Sequence, residues 1–192
     1  MPLVTNPDLI DQTPHPMLLS RLNLYGADKG EVSAADPLAL LQQVLAALRA
    51  LRWSYHTKHW MVSGGHFYGD HLLFERLYDG KPSLDDAADG LAEKMVAIFG
   101  PAAVCSRAIW PLSGAFLDRG MAANDCPYRQ SLAMEAELQS LLSKTYATLK
   151  AKKALSLGMD DLLMSLANER EQAIYLLQQR LGPPPVVVRI LS

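Results

Sequence analysis

Four long stretches of the chain repeat apolar residues with the 3.6-residue period of an amphipathic helix, and no series of strand patterns competes with them. The first follows Asp36, a typical N-cap residue, and begins with Pro37 at the first helical position. Its expected end is the glycine pair at 64–65. One stripe of this helix carries Leu41, Leu45, Leu48, Arg52, Tyr55 and His59.

The second apolar pattern begins at Phe67 and reaches Gly80, and Ser83 can then cap a further helical segment that extends to about residue 98. Pro82 lies between the two segments, so residues 66–98 form either one interrupted helix or two. The third pattern covers about 128–153. The fourth begins at Asp160 or Asp161 and stops at residue 182.

Residues 99–128 contain several glycines and prolines and predict an irregular connection with one short helix around 115–119. The sequence therefore predicts an all-α four-helix bundle with a crossover between the second and third helices. We expect an N-terminal arm over 1–35, the bundle over 36–182 and a C-terminal tail over 183–192.

Composition excludes several other classes of protein. The 192 residues are 49% hydrophobic, with 18 basic against 20 acidic side chains, which excludes intrinsic disorder and a polycation. Two cysteines, Cys105 and Cys126, make no disulfide framework and are expected as buried thiols. Apolar runs are too short for a membrane span, since residues such as Arg49 and Arg52 interrupt them, and no signal peptide is recognisable; we expect a cytoplasmic protein.

Four of the five histidines fall within sixteen residues: His56, His59, His66 and His71. His59 lies eleven residues after Leu48, about 1100° around the helix and so within about 20° of the apolar stripe, which points it inward. A histidine there is either a hydrogen-bonded core or interface residue or a metal ligand.

Two pairs of residues, each of which includes a carboxylate, favour the metal interpretation. His71 and Glu75 share a helix face four residues apart, as do Asp89 and Glu93. Imidazole and carboxylate ligands without thiolate suit iron or manganese, with zinc as the competitor. If 71–93 were one helix, the pairs would lie about 27 Å apart on one face, so a second chain packed about a two-fold axis would be needed to close a site. The Glu-x-x-His motif of bundles with a di-iron site inside one subunit is absent.

One stretch of the chain runs from His59-Trp60 through Gly64-Gly65-His66-Phe67 to His71 and Glu75, and a second is Asp89-Gly90-Leu91-Ala92-Glu93. Together the two stretches resemble the signature of the Dps family, the mini-ferritins. Residues 159–181 are also similar to the last helix of that family. The resemblance covers about residues 37–181.

The resemblance implies a ferritin-like dodecameric shell built from two-fold dimers, whose interfaces oxidise ferrous iron, preferably with hydrogen peroxide, and whose cavity stores ferric iron. It assigns His59, His71, Glu75, Asp89 and Glu93 as metal ligands divided between two subunits. It also places Trp60 beside the site, where the indole either intercepts a radical or simply packs at the interface.

Two departures from the family pattern give a second hypothesis. The family usually has aspartate where Glu75 stands, and the stretch between Tyr78 and Asp89 is three residues longer and contains Gly80 and Pro82. The alternative function is therefore a ferritin-like structural or interaction protein whose iron sites are impaired by the insertion.

DNA binding, often associated with the family, has little support here. Neither terminus is rich in lysine and the net charge is −2, so DNA binding through the termini is not expected. The basic cluster Lys144, Lys150, Lys152 and Lys153 is expected as a solvated helix end.

Overall fold

The computed structural model describes residues 36–122 and 126–182, and every described element is helical. The helices are α1 Pro37–Met61, α2 Phe67–Asp79, α3 Leu84–Phe99, α4 Ser106–Ala122, α5 Pro127–Ala151 and α6 Leu157–Leu181, with a 3₁₀ turn at Pro101–Val104 before α4. The predicted arm (1–35) and tail (183–192) lie outside the described residues.

Helix α1 is the central helix of the bundle and contacts α2, α3, α4 and α5. Its buried residues lie on more than one face, which a helix with neighbours on several sides requires. The Asp36 carboxylate accepts a hydrogen bond from the Leu38 amide at 3.2 Å, which confirms the predicted N-cap. The helix ends at Met61, a few residues before the predicted glycines.

The region 66–98 forms two helices. Helix α2 ends at Asp79, and α3 begins after Ser83, whose hydroxyl accepts from the Asp86 amide at 3.0 Å while the Asp86 carboxylate accepts from the Ser83 amide at 2.9 Å. This reciprocal capping box gives α3 its own N-terminus. The residues around Gly80 and Pro82 therefore form a break between two helices.

Helix directions follow from the paired residues. Tyr55 and Lys58 of α1 contact Glu135 and Ser131 of α5, so α1 and α5 are antiparallel. Helix α1 is also antiparallel to the α2–α3 pair, since His59 meets His71 whereas Arg49 meets Asp89. Consequently α3 and α5 run in the same direction, and the chain must return along the bundle between them. This confirms the predicted crossover of a ferritin-like four-helix bundle.

The crossover is more helical than predicted, because α4 extends over 17 residues. Pro111 is exposed and lies inside α4, while Ile109, Ser113, Phe116 and Gly120 form a buried face at helical spacing. The Ser113 hydroxyl donates to the Ala46 carbonyl at 3.0 Å and anchors α4 on α1. The packing of α4 on α1 thus outweighs the tendency of Pro111 to break a helix.

Helix α6 begins at Leu157, earlier than predicted, because the Ser156 hydroxyl caps the Met159 amide at 3.2 Å. Gly158, predicted in a connection, is therefore helical. Near its other end, the Arg180 guanidinium donates to both carboxylate oxygens of the buried Asp70, at 2.5 and 3.0 Å, and joins α6 to α2. Within 36–122 and 126–182, none of the helices combines the length and apolar character needed to cross a membrane.

The cysteine prediction is wrong. Cys105 is exposed at the start of α4, and Cys126 is half-buried as the N-cap residue of α5. Both lie at helix boundaries, where the chain turns at the surface. The four clustered lysines are exposed, as expected of a solvated helix end.

Candidate metal centre

His59, near the end of α1, and His71, in the second turn of α2, lie side by side. Their ring centroids are 3.6 Å apart with an interplanar angle of 27°. Nδ1 of each ring lies 3.0 Å from the main-chain carbonyl oxygen of the other residue. The structure therefore brings together two of the predicted ligands within one chain.

These hydrogen bonds fix the tautomer of both imidazoles. A carbonyl oxygen only accepts, so each Nδ1 carries the proton and donates it. In the neutral ring the remaining nitrogen, Nε2, then keeps its lone pair. A ring whose Nδ1–H is held by a carbonyl is the usual form of a metal-binding histidine.

The turn between α1 and α2 makes this pairing possible. Gly64 has a φ of 87°, a left-handed conformation that glycine adopts without steric cost, and its carbonyl accepts from the Phe67 amide at 3.0 Å. The chain thereby reverses within five residues, so that the last turn of α1 lies beside α2. The Phe67 ring then lies 5.1 Å from the His71 ring.

The other predicted ligands lie on exposed positions. Glu75 is one turn after His71 on α2, while Asp89 and Glu93 are one turn apart on α3. Asp89 is paired with Arg49, whose Nη2 lies 2.8 Å from Oδ1. Arg49 is ten residues before His59 on α1, or about 15 Å along the helix axis. Asp89 is thus well separated from the histidine pair of its own chain.

Across residues 36–122 and 126–182, no three His, Cys, Asp or Glu side chains of one chain come close enough to hold a metal ion. A single subunit therefore presents its candidate ligands in separate groups: the histidine pair, Glu75 one turn further along α2, and Asp89 with Glu93 on α3. The division predicted from sequence, in which a second chain completes the site, is the arrangement in which these residues could act together.

Trp60 is 58% exposed and lies on an aromatic surface next to the histidines. Its ring is 4.1 Å from the His56 ring and 6.3 Å from that of Trp53, which is equally exposed. Phe67, Tyr68 and Leu72 add further exposed apolar groups at the start of α2. An apolar surface of this kind commonly marks a protein interface.

Sequence reasoning missed the polar residues that surround the candidate ligands. Arg52 donates from Nε to Asp85 Oδ2 at 3.0 Å, contacts His56 Nδ1 and lies over the Tyr78 ring at 5.0 Å. Burial, followed by the charge of Arg52, lowers the pKa of His56. The sequence signal for these ion pairs was the spacing of the charged residues. Arg49 and Arg52 are three residues apart on α1, and Asp85 and Asp89 are four apart on α3.

A separate buried polar cluster lies inside the bundle. Tyr55 donates to Glu135 Oε1 at 2.5 Å, and Arg170 donates to the same oxygen at 3.1 Å. Burial raises the pKa of Glu135, and the Arg170 charge opposes that shift. The Arg170 guanidinium is the cation that neutralises this carboxylate, so the two residues form a buried ion pair between α5 and α6.

Comparison with known proteins shows a similarity of fold. No protein-family model matches the chain, and no curated protein matches its sequence. The structure is similar to the X-ray structure of Dps from Thermosynechococcus elongatus, with a TM-score of 0.62 and 17% sequence identity over 79% of this chain and 94% of that one. At this identity the similarity shows the fold, a Dps-like helical bundle.

Proposed function

We propose that the protein is an iron-storing mini-ferritin that oxidises ferrous iron at sites shared between two subunits. The observation that carries the proposal is the reciprocal pairing of His59 and His71, which leaves both Nε2 atoms as potential ligands. Each ring is oriented by one carbonyl through Nδ1, which is how metal-binding imidazoles are usually held. The Dps-like fold supports the same conclusion.

In this proposal His59, His71 and Glu75 of one subunit face Asp89 and Glu93 of its two-fold mate. The exposed aromatic surface around Trp53 and Trp60 supports such a dimer, since a second copy would cover it. If the α2–α3 pairs of two subunits pack antiparallel, α2 of one subunit lies beside α3 of the other. This arrangement would bring together candidate ligands that are far apart within one chain.

The reaction consumes two ferrous ions and one hydrogen peroxide with two protons, and yields two ferric ions and two water molecules. Neutral imidazoles and carboxylates bind both iron oxidation states, and the anionic oxygens stabilise the higher charge of the product. In this proposal Trp60 lies beside the site, where it either donates an electron to stray radicals or completes the interface. We extend the proposal to a dodecameric shell that holds the ferric product in its cavity, in the cytoplasm.

Complementation between two defective variants tests the shared site. One variant carries His59→Ala and His71→Ala, and the other carries Asp89→Ala and Glu93→Ala. Each alone is expected to lose oxidation. Co-expressed, they should recover about a quarter of the sites, because random mixing makes half of the dimers mixed and each mixed dimer has one intact site of two.

The control replaces the second variant by one with His59→Ala and Glu75→Ala, which alters the same ligand set as the first. That mixture has no intact site and should stay inactive. Equal activity of both mixtures would contradict a site shared between subunits. Light scattering on each preparation establishes that the oligomers are the same size.

The alternative, a ferritin-like structural or interaction protein, is favoured by the Arg49–Asp89 ion pair, which occupies one of the proposed ligands. It predicts normal assembly with oxidation no faster than in protein-free buffer. The wild-type oxidation rate separates the two functions.

A further inference from the structure

We propose that Arg49 competes with ferrous iron for the Asp89 carboxylate and so regulates metal loading of the site. This inference rests on the proposed function, because it takes Asp89 as a ligand.

The guanidinium of Arg49 bridges two carboxylates that are one turn apart on α3. Its Nη2 lies 2.8 Å from Asp89 Oδ1, and its Nη1 lies 3.1 Å from Asp85 Oδ1. Arginine can hold two acceptors in this way because its donors have a fixed fork geometry. Asp89 is thereby bound by a cation of its own subunit.

Release of Asp89 does not leave Arg49 without a partner. Asp85 stays in place because its second oxygen, Oδ2, accepts from Arg52 Nε at 3.0 Å. When a metal ion takes Asp89, Arg49 can keep its bond to Asp85. The Asp89 side chain is 67% exposed, and exchange of one exposed ion pair is a small and reversible cost.

The charges also favour competition. Arg49 and Arg52 together balance Asp85 and Asp89, so this group of four has no net charge before iron arrives. A divalent cation approaching Asp89 also meets the positive charge of Arg49 nearby. Without Arg49, the same carboxylate would present an uncompensated negative charge.

The test is anaerobic calorimetric titration of the assembled protein with ferrous iron alone. Arg49→Gln is expected to lower the dissociation constant two- to fivefold relative to wild type. The matched control is Arg119→Gln, since Arg119 forms an exposed ion pair with Glu137 on α4 and α5, away from the candidate ligands. The control should bind iron as the wild type does.

A double variant identifies the carboxylate involved. In an Asp89→Ala background, Arg49→Gln should give no tightening. Unchanged or weaker binding by Arg49→Gln, or a gain that persists without Asp89, would overturn the inference. If instead neither Asp89→Ala nor His59→Ala alters iron binding, it is the proposed function that fails.

Arg49→Lys provides a second variant should the glutamine form fail to assemble. Lysine keeps the positive charge but lacks the fork that bridges Asp85 and Asp89. We expect it to tighten iron binding by less than the glutamine substitution and more than the Arg119 control. Binding equal to or weaker than wild type would contradict the competition.

Discussion

His59 and His71 each use Nδ1 to bond the main-chain carbonyl of the other, and their rings stack 3.6 Å apart. Each residue therefore positions the other, so loss of either imidazole should disturb both. This relationship makes the pair a single functional unit in the proposed site, although its members come from different helices.

The histidine pair gives the first prediction. His59→Ala and His71→Ala should each slow peroxide-driven iron oxidation about tenfold or more, the usual scale for losing a ligand or its orienting partner. His66→Ala is the matched control, because His66 is exposed between them in sequence. Ferric absorbance in stopped flow measures the rates, and an equal loss in all three variants would contradict the assignment.

Lys58 predicts a pH dependence of stability. It is buried and donates to the Ser131 hydroxyl at 2.8 Å, and burial lowers its pKa to about 8. Because the unfolded pKa is higher, the folded state favours the neutral amine. The cost of burying the charged amine is therefore at its full value below about pH 8, and stability rises as the pH increases from about 8 toward the unfolded pKa. Lys58→Met should therefore raise the free energy of unfolding by about 1–2 kcal/mol at pH 7.

Urea unfolding at pH 7 and pH 9.5 tests the sign of this effect. The advantage of Lys58→Met should shrink at the higher pH. Lys150→Met, at an exposed position near the end of α5, should change stability little at either pH. A constant advantage across this range would show that Lys58 does not titrate as described.

Two glycines of α4 predict opposite effects on stability when each is replaced by alanine. A Cβ at Gly120 would lie 2.2 Å from Met134 Cγ, whereas a Cβ at Gly114 meets no atom within 4 Å. Gly120→Ala should destabilise the protein by about 1–3 kcal/mol through overpacking against α5. Gly114→Ala should stabilise it by about 0.5–1 kcal/mol through helix propensity. Thermal unfolding measures both, and similar values would contradict the docking of α4.

The buried pair of Arg170 and Glu135 predicts a large single-variant effect. Arg170→Met leaves the Glu135 carboxylate buried with Tyr55 alone, which should cost about 3–5 kcal/mol. Adding Glu135→Gln should recover part of the loss, since the charge is then removed. Denaturant unfolding of both variants tests this, and an additive loss would argue against a direct pair.

Much of the fold could be predicted from local signals in the sequence. Asp36 and Ser83 cap the helices that they were expected to cap, whereas the residues around Pro82 left open whether 66–98 forms one interrupted helix or two. Only part of helix α4, around 115–119, could be predicted in this way. Pro111 signals a break, and the packed face at Ile109, Ser113 and Phe116 reveals why the helix extends through it.

The candidate site was likewise predictable in part from the sequence. Residue types and spacing indicated His59 and His71 as ligands, but the carbonyls that orient them come from the tertiary approach of α1 and α2. Arg49 appeared only as an interruption of an apolar run. Its bond to Asp89 depends on which faces of α1 and α3 meet, and the spacing within one helix does not specify that.

Peroxide-driven iron oxidation by the wild type and by Asp89→Ala tests the central claim most directly. The anaerobic protein is loaded with ferrous iron, peroxide is added, and ferric absorbance is followed beside a protein-free sample. Asp161→Ala, at an exposed position on α6, is the matched control. A shared ferroxidase site predicts fast oxidation by wild type and Asp161→Ala, slowed about tenfold in Asp89→Ala. Wild-type oxidation no faster than the protein-free sample, or full activity in Asp89→Ala, would contradict it.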